Sequence, residues 1–228
     1  MSKRQPDGGK RGTLPNRGKL RFALDPYFAC LVFAGVALGT LSLHVTLRLT
    51  ILWATLLLLW LAYCEGKAFS GSYRYADMGR GVLIGLVIGL PTMVLTFRGL
   101  ARAIPILYVG SALSPDVELT GSTVFATLVV LAPLAEELFF RDMLQKERGF
   151  WIATGLYAAV GVLLFLPTAG QFPAVLFAVS GAAAVLGVVY AFLYERYGLA
   201  TALSCHVTAN LMLLCLPATL SHLDLLSR

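Results

Sequence analysis

The sequence predicts an all-α fold, a polytopic membrane bundle of seven to eight transmembrane helices. Three observations carry this. Of the 228 residues, 58% are hydrophobic and 13% charged, about half the roughly 25% charge of a soluble domain. Mean hydropathy is +0.78. The apolar residues gather into runs of about 17–22, the length that crosses roughly 30 Å of hydrocarbon. These runs lack two-residue alternation, so they read as helices that satisfy their own backbone groups in lipid. A soluble enzyme, a secreted disulfide module and a disordered chain are excluded.

In chain order, residues 1–24 form a basic tail, expected to be disordered and cytoplasmic. Lys3, Arg4, Lys10, Arg11, Arg17, Lys19 and Arg21 crowd it, with Asp7 its only acid before residue 22. No aromatic residue precedes Phe22, so the tail reads as the flank of a first span and no nucleic-acid partner is expected. Residues 25–228 form a single membrane domain. Its apolar runs place spans at 27–43, 49–63, 81–97, 120–144, 150–168, 173–194 and 199–219, and a shorter stretch, 104–113, is a candidate for a partly embedded eighth element, which leaves seven and eight spans both open. The segment 64–80, rich in Gly, Ser and Tyr, reads as a surface loop.

Orientation follows from the basic residues. With seven spans and the N-terminus inside, 14 of the 18 Lys and Arg fall on the inner side, leaving Arg48, Arg98, Arg102 and Arg228 outside. The expected location is therefore the cell membrane, multi-pass, with a cytoplasmic N-terminus. Cys30, Cys64, Cys205 and Cys215 have no metal-ligand spacing and read as small apolar residues or loop residues.

Two places break the apolar rule. The first is Ala135-Glu136-Glu137-Leu138-Phe139-Phe140-Arg141, partway along the fourth run. A charge at the bilayer centre costs at least about 2.5–3.5 kcal/mol, so adjacent carboxylates there need a reason. Glu137 and Arg141 are four apart, share a face and can pair. Glu136 lies about 100° around the helix with no local partner, and a desolvated carboxylate suits a general base. Pro133 predicts a kink or a widened turn beside them. The blander alternative ends this helix near Phe140, with the glutamates at the headgroups. The second place is His206 and Asn210, again four apart, within the last run.

Counting along the helices puts the two places at similar depth. Glu136 lies 12 residues before Arg148, and His206 lies 8 after Gly198, or about 18 and 12 Å of helix. Both turns fall on one side, and the site is expected to open toward it. One water can serve both groups only if the Glu136 carboxylate and the His206 ring lie within about 8 Å.

Glu136-Glu137-x-x-x-Arg141 followed by His206-x-x-x-Asn210 resembles the CPBP family of intramembrane proteases. That family includes the CAAX-processing endopeptidases of prenylated proteins and bacteriocin-processing or Abi-type proteins. The text Glu-Glu-Leu-Phe-Phe-Arg resembles its first motif, and Gly198-Leu-Ala-Thr-Ala-Leu-Ser-Cys-His206 the approach to its last. The resemblance covers about residues 120–215. It implies an eight-helix-type α fold with a cavity inside the membrane. It also implies roles: Glu136 activates water, Glu137 and Arg141 support it, His206 orients water or polarises the substrate, and Asn210 helps hold the oxyanion. The family's middle motif, Phe-x-x-x-His, is here Phe165-Leu166-Pro167-Thr168-Ala169. Thr168 and Gln171 are the nearest polar residues to Ala169. With Glu and a single His, a metal has no full ligand set, and no cofactor is expected.

The sequence thus points to an intramembrane endopeptidase acting on a membrane-associated or prenylated peptide or protein, with the lipid bilayer as its other partner. The alternative is a catalytically silent relative serving as an immunity, assembly or binding factor. A proton-coupled transporter lacks support, because no repeated half is evident. The small residues from Ser180 to Gly187 are read as a helix-packing seam.

Overall fold

A computed structural model describes residues 24–65, 75–109, 125–169 and 173–222. Residues 1–23 of the basic tail, Gln171 and most of the 64–80 connection lie outside these. The described residues are helical with no strand. They form α1 (Pro26–Gly39), α2 (Val45–Cys64), α3 (Tyr75–Val109), α4 (125–148), α5 (Phe150–Ala169), α6 (Pro173–Tyr197) and α7 (199–222). Five of them, α2, α3, α5, α6 and α7, are long and apolar enough to cross a membrane. α1 has 14 residues, and α4 carries four charged residues between 136 and 142.

Local chemistry sets the ends. Asp25 caps α1 by accepting from the Tyr27 and Phe28 amides at 2.8 and 3.2 Å, with Pro26 at the first helical position. Gly149 and Gly198 separate α4 from α5 and α6 from α7 at φ +86° and +89°, values glycine adopts without strain.

Two expected boundaries move. α3 starts at Tyr75, inside the expected loop, and runs through to Val109. The stretch 104–109 is therefore the end of α3 and not a separate element, and 110–113 lies outside the described residues. Arg98 and Arg102, expected in an outer loop, sit exposed on α3.

Arg48 is the larger correction. Expected as an outer-flank charge, it lies in α2 with 1% exposure. It donates to the carbonyls of Ala37 at 3.1 Å, Leu163 at 2.7 Å and Leu164. The reason lies in two other helices. Ala37 belongs to the last turn of α1, whose carbonyls have no helical donor. Pro167 lacks the N–H that would pair with the Leu163 carbonyl four residues earlier. One guanidinium, with its fork of donors, serves both.

Both tight turns lie on one face of the bundle, together with the starts of α1 and α3 and the end of α2. Arg148 pairs with Asp25 at 2.6 Å, Lys146 with Asp142 at 2.7 Å, Trp60 donates to Asp142 at 3.0 Å, and Tyr63 donates to Glu147. α3 and α7 run side by side through Gly81, Gly85 and Gly89. An added Cβ would fall 2.3 Å from the Thr201 carbonyl at Gly81 and 2.8 Å from that of Cys205 at Gly85, so only glycine admits this approach. The contact fixes the register of α7, which carries His206 and Asn210.

Candidate active site

α4 does not end near Phe140; it continues to Arg148, which places both glutamates in its interior. Its winding is loose on either side of Pro133. Over 126–131 the turns widen, and the Ala132 amide reaches back five residues to the Thr127 carbonyl. A second wide stretch spans Glu137–Gln145. Such wide turns are uncommon and concentrate at functional sites. Each residue advances less than the usual 100° around the axis, so Glu136 and Glu137 both face inward.

The charges there are almost fully enclosed, with Glu136 8% exposed and Glu137 and Arg141 at 0%. Arg141 Nε lies 3.5 Å from Glu137 Oε2, and its Nη2 donates to the Gly187 carbonyl at 3.0 Å. The guanidinium sits over the Tyr157 ring at 5.1 Å. Gly187 is needed here, because an added Cβ would stand 2.8 Å from Tyr157 Cδ1. Gln145 donates to the Ala191 carbonyl at 3.0 Å, one turn further along α6.

α7 brings the partner groups to the same level. His206 Nδ1 donates to Glu137 Oε1 at 2.9 Å, which fixes the ring and turns Nε2 toward Glu136. The separation of Nε2 from Glu136 Oε2 is 3.8 Å, well inside the bound for sharing one water. The other Glu136 oxygen accepts from Trp53 Nε1 at 2.8 Å, so the partner missing from its own helix comes from α2. Tyr190 stacks on the imidazole at 4.4 Å between ring centres and 18° between planes.

Asn210 donates to the Leu128 carbonyl at 2.9 Å. With the Ala132 amide committed to Thr127, the next helical donor for Leu128 would be residue 133, and Pro133 has none. The Asn210 amide fills that gap and retains a second N–H.

Glu136, His206 and Asn210 border a cavity of about 590 Å³ that also touches Trp53 and Tyr157. Its other walls come from 92–108 of α3, 160–165 of α5, 174–186 of α6 and 213–214 of α7. All these segments lie at the level of His206 or on its far side from Gly149 and Gly198. The cavity therefore opens away from the turns, not toward them as the depth count suggested. Side chains packed on the turn side close that direction: Phe139, Phe140, Met143 and Leu144 are all at 0% exposure.

The stripe from Ser180 to Gly187 is only partly a packing seam. Gly187 is tightly packed, Gly181 has open space at its Cβ position, and Ala182 and Ala183 line the cavity. Phe165 of the middle motif also lines it; the side chains of Thr168 and Ala169 lie outside the described ones. Among the described residues no group of three or more His, Cys, Asp or Glu is arranged to hold a metal ion.

Sequence reasoning did not find Trp53, Tyr157 or Tyr190. Aromatic residues inside an apolar run carry no signal of their own, and only Gly187 of this shell had been singled out.

These elements define a helical membrane bundle with a buried carboxylate–histidine pair at the floor of a largely apolar cavity. Residues 119–212, a segment that holds every site residue on α4 and α7, match the family described as type II CAAX prenyl endopeptidase Rce1-like. No curated protein and no solved structure matches the chain.

Proposed function

We propose that the chain is an intramembrane endopeptidase that hydrolyses a peptide bond of a membrane-associated or prenylated peptide or protein. Glu136 removes a proton from a water held between its carboxylate and His206 as the water oxygen attacks the peptide carbonyl. The proton then passes to the leaving amine, and the free N–H of Asn210 steadies the oxyanion. Glu137 and Arg141 act through His206, the first holding its ring and the second neutralising the first. The chain lies multi-pass in the cell membrane as seven spans with a cytoplasmic N-terminus.

One observation carries this reading: Glu136 and His206 face each other across 3.8 Å, too far for a direct hydrogen bond and close enough for a shared water. The test is cleavage of co-reconstituted prenylated or membrane-anchored peptides by the purified chain. Glu136→Gln should lower the rate by about 10²–10⁴-fold, the worth of a general base, and His206→Ala should do likewise. Cleavage indifferent to both substitutions would refute the mechanism.

A second reading, a silent relative that binds a membrane partner, is favoured by Ala169 alone. It requires that Glu136→Gln leave biological activity intact.

A further inference from the structure

Tyr157 is held more firmly than a residue that merely lines a cavity needs to be. It is buried at 8% exposure, and three neighbours clamp its ring. Arg141 of α4 places its guanidinium over the ring at 5.1 Å. Phe140 meets it edge-on at 5.1 Å and 89°, and Gly187 of α6 leaves just enough room beside Cδ1. These are contacts of the ring. The hydroxyl has a different direction. Tyr157 borders the cavity together with Glu136 and His206, its ring stands edge-on to the imidazole at 6.5 Å between centres, and its O–H reaches the Glu136 carboxylate as a hydrogen-bond donor.

Glu136 therefore has two aromatic donors, and they differ in kind. Trp53 Nε1 donates to one carboxylate oxygen at 2.8 Å, and an indole N–H is fixed in the plane of its ring. A phenol O–H turns about its C–O bond and can change acceptor. The proposed reaction gives it a reason to do so. When Glu136 takes a proton from the water, its carboxylate becomes a neutral acid and attracts a donor less. In the same step the new C–O bond forms and the carbonyl π pair moves onto oxygen. The negative charge that left Glu136 thus reappears on the oxyanion beside it. Such an oxyanion is far more basic than a carboxylate. A donor that follows the charge therefore binds more strongly in the transition state than before it, which is the condition for acceleration.

We propose that Tyr157 is a catalytic residue of the hydrolysis, its phenol O–H moving its hydrogen bond from the Glu136 carboxylate to the oxyanion and serving beside Asn210 as the second oxyanion donor. No proton leaves the phenol; only the acceptor of its hydrogen bond changes. The role deepens the hydrolase reading and rests on it. The ring contacts account for an aromatic residue at this position, and the change of acceptor accounts for tyrosine where phenylalanine would pack as well.

The test uses the full-length protein in proteoliposomes with a prenylated or membrane-anchored peptide as substrate. Tyr157→Phe keeps every ring contact, so its unfolding midpoint should match the wild type and its KM should stay within about twofold. Its kcat should fall by about 10²–10³-fold, the effect of removing one oxyanion donor. Tyr108→Phe, which removes a hydroxyl from another residue lining the same cavity, should leave both constants within about twofold.

Monofluoro- and difluorotyrosine, introduced at position 157 by codon reassignment, keep the ring and strengthen the donor. At a pH where each phenol is still protonated, kcat should rise along the series. A phenol that only held the resting carboxylate would weaken the base as it became a better donor, and kcat would then fall. A flat or falling series overturns the role, including where Tyr157→Phe does not fold. A Tyr157→Phe kcat within about threefold of the wild type overturns it too, as does a loss confined to KM. Any of these outcomes, in a wild type that cleaves, defeats the role of Tyr157 and leaves the hydrolase reading standing. A wild type that cleaves nothing defeats both.

Discussion

The bundle treats its two ends differently. Between the turn face and His206, α4 presses Arg141 and Gln145 onto the backbone of α6 at Gly187 and Ala191. Phe139, Phe140, Met143 and Leu144 fill what remains. Beyond His206 the same helices separate around about 590 Å³ of apolar space. The contrast shows where polar groups are affordable in a membrane protein. At the closed end the buried charges and amides reach carbonyls or opposite charges, and at the open end the cavity walls are mostly apolar away from the candidate site, while Arg48 is buried there against the carbonyls of α1 and α5. The boundary between the halves is the layer of Glu136, Glu137, His206 and Tyr190.

Substitutions can break or sharpen this contrast. The largest effect belongs to the closed end. Arg141→Met leaves the Glu137 carboxylate enclosed without its cation and should destabilise the protein by about 3–5 kcal/mol, measured by reversible denaturation in mixed micelles. Gly187→Ala forces a methyl against Tyr157 Cδ1 and should cost about 1–3 kcal/mol in the same assay. At the boundary, the Tyr190 hydroxyl is buried with no partner, so Tyr190→Phe should keep the stack on His206 and raise stability by about 1 kcal/mol. The open end should barely respond. Ala178→Leu extends into free space and should change stability by less than about 0.5 kcal/mol. A cost above 2 kcal/mol there would mean that the halves do not differ.

Much of this was legible in the sequence. The length of each apolar run gave the helices to within a few residues, except where α3 absorbs its neighbour. The i,i+4 spacing gave the Glu137–Arg141 pair, and the residue count from each turn gave the meeting of Glu136 with His206. What escaped depends on contacts between distant positions. Trp53 reaches Glu136 across 83 residues, and nothing in the run around it marks one tryptophan as a donor. Arg48 was misplaced because a charge at the edge of an apolar run looks like a flank, and its acceptors belong to α1 and α5. The direction of the cavity escaped because depth fixes the level of a site and not the side on which neighbours separate. The seam of Gly81, Gly85 and Gly89 was visible as glycines four apart, but the stripe on α6 drew the packing argument instead.

Pro133 and Pro167 each leave a carbonyl that a side chain from another helix covers, Asn210 in the first case and Arg48 in the second. Each proline is therefore energetically tied to a residue that sequence distance would never suggest. Replacing Pro167 by alanine returns an amide to the Leu163 carbonyl, so Arg48→Met should cost less in that background than alone, a non-additivity that a double-mutant cycle reads directly. Related chains that lack one member of either couple should tend to lack the other. The Pro133–Asn210 couple adds a second constraint, because its amide also borders the cavity. A substitution there alters the winding of α4 and the floor of the site together, and loss of activity in an Asn210 variant alone would not separate the two.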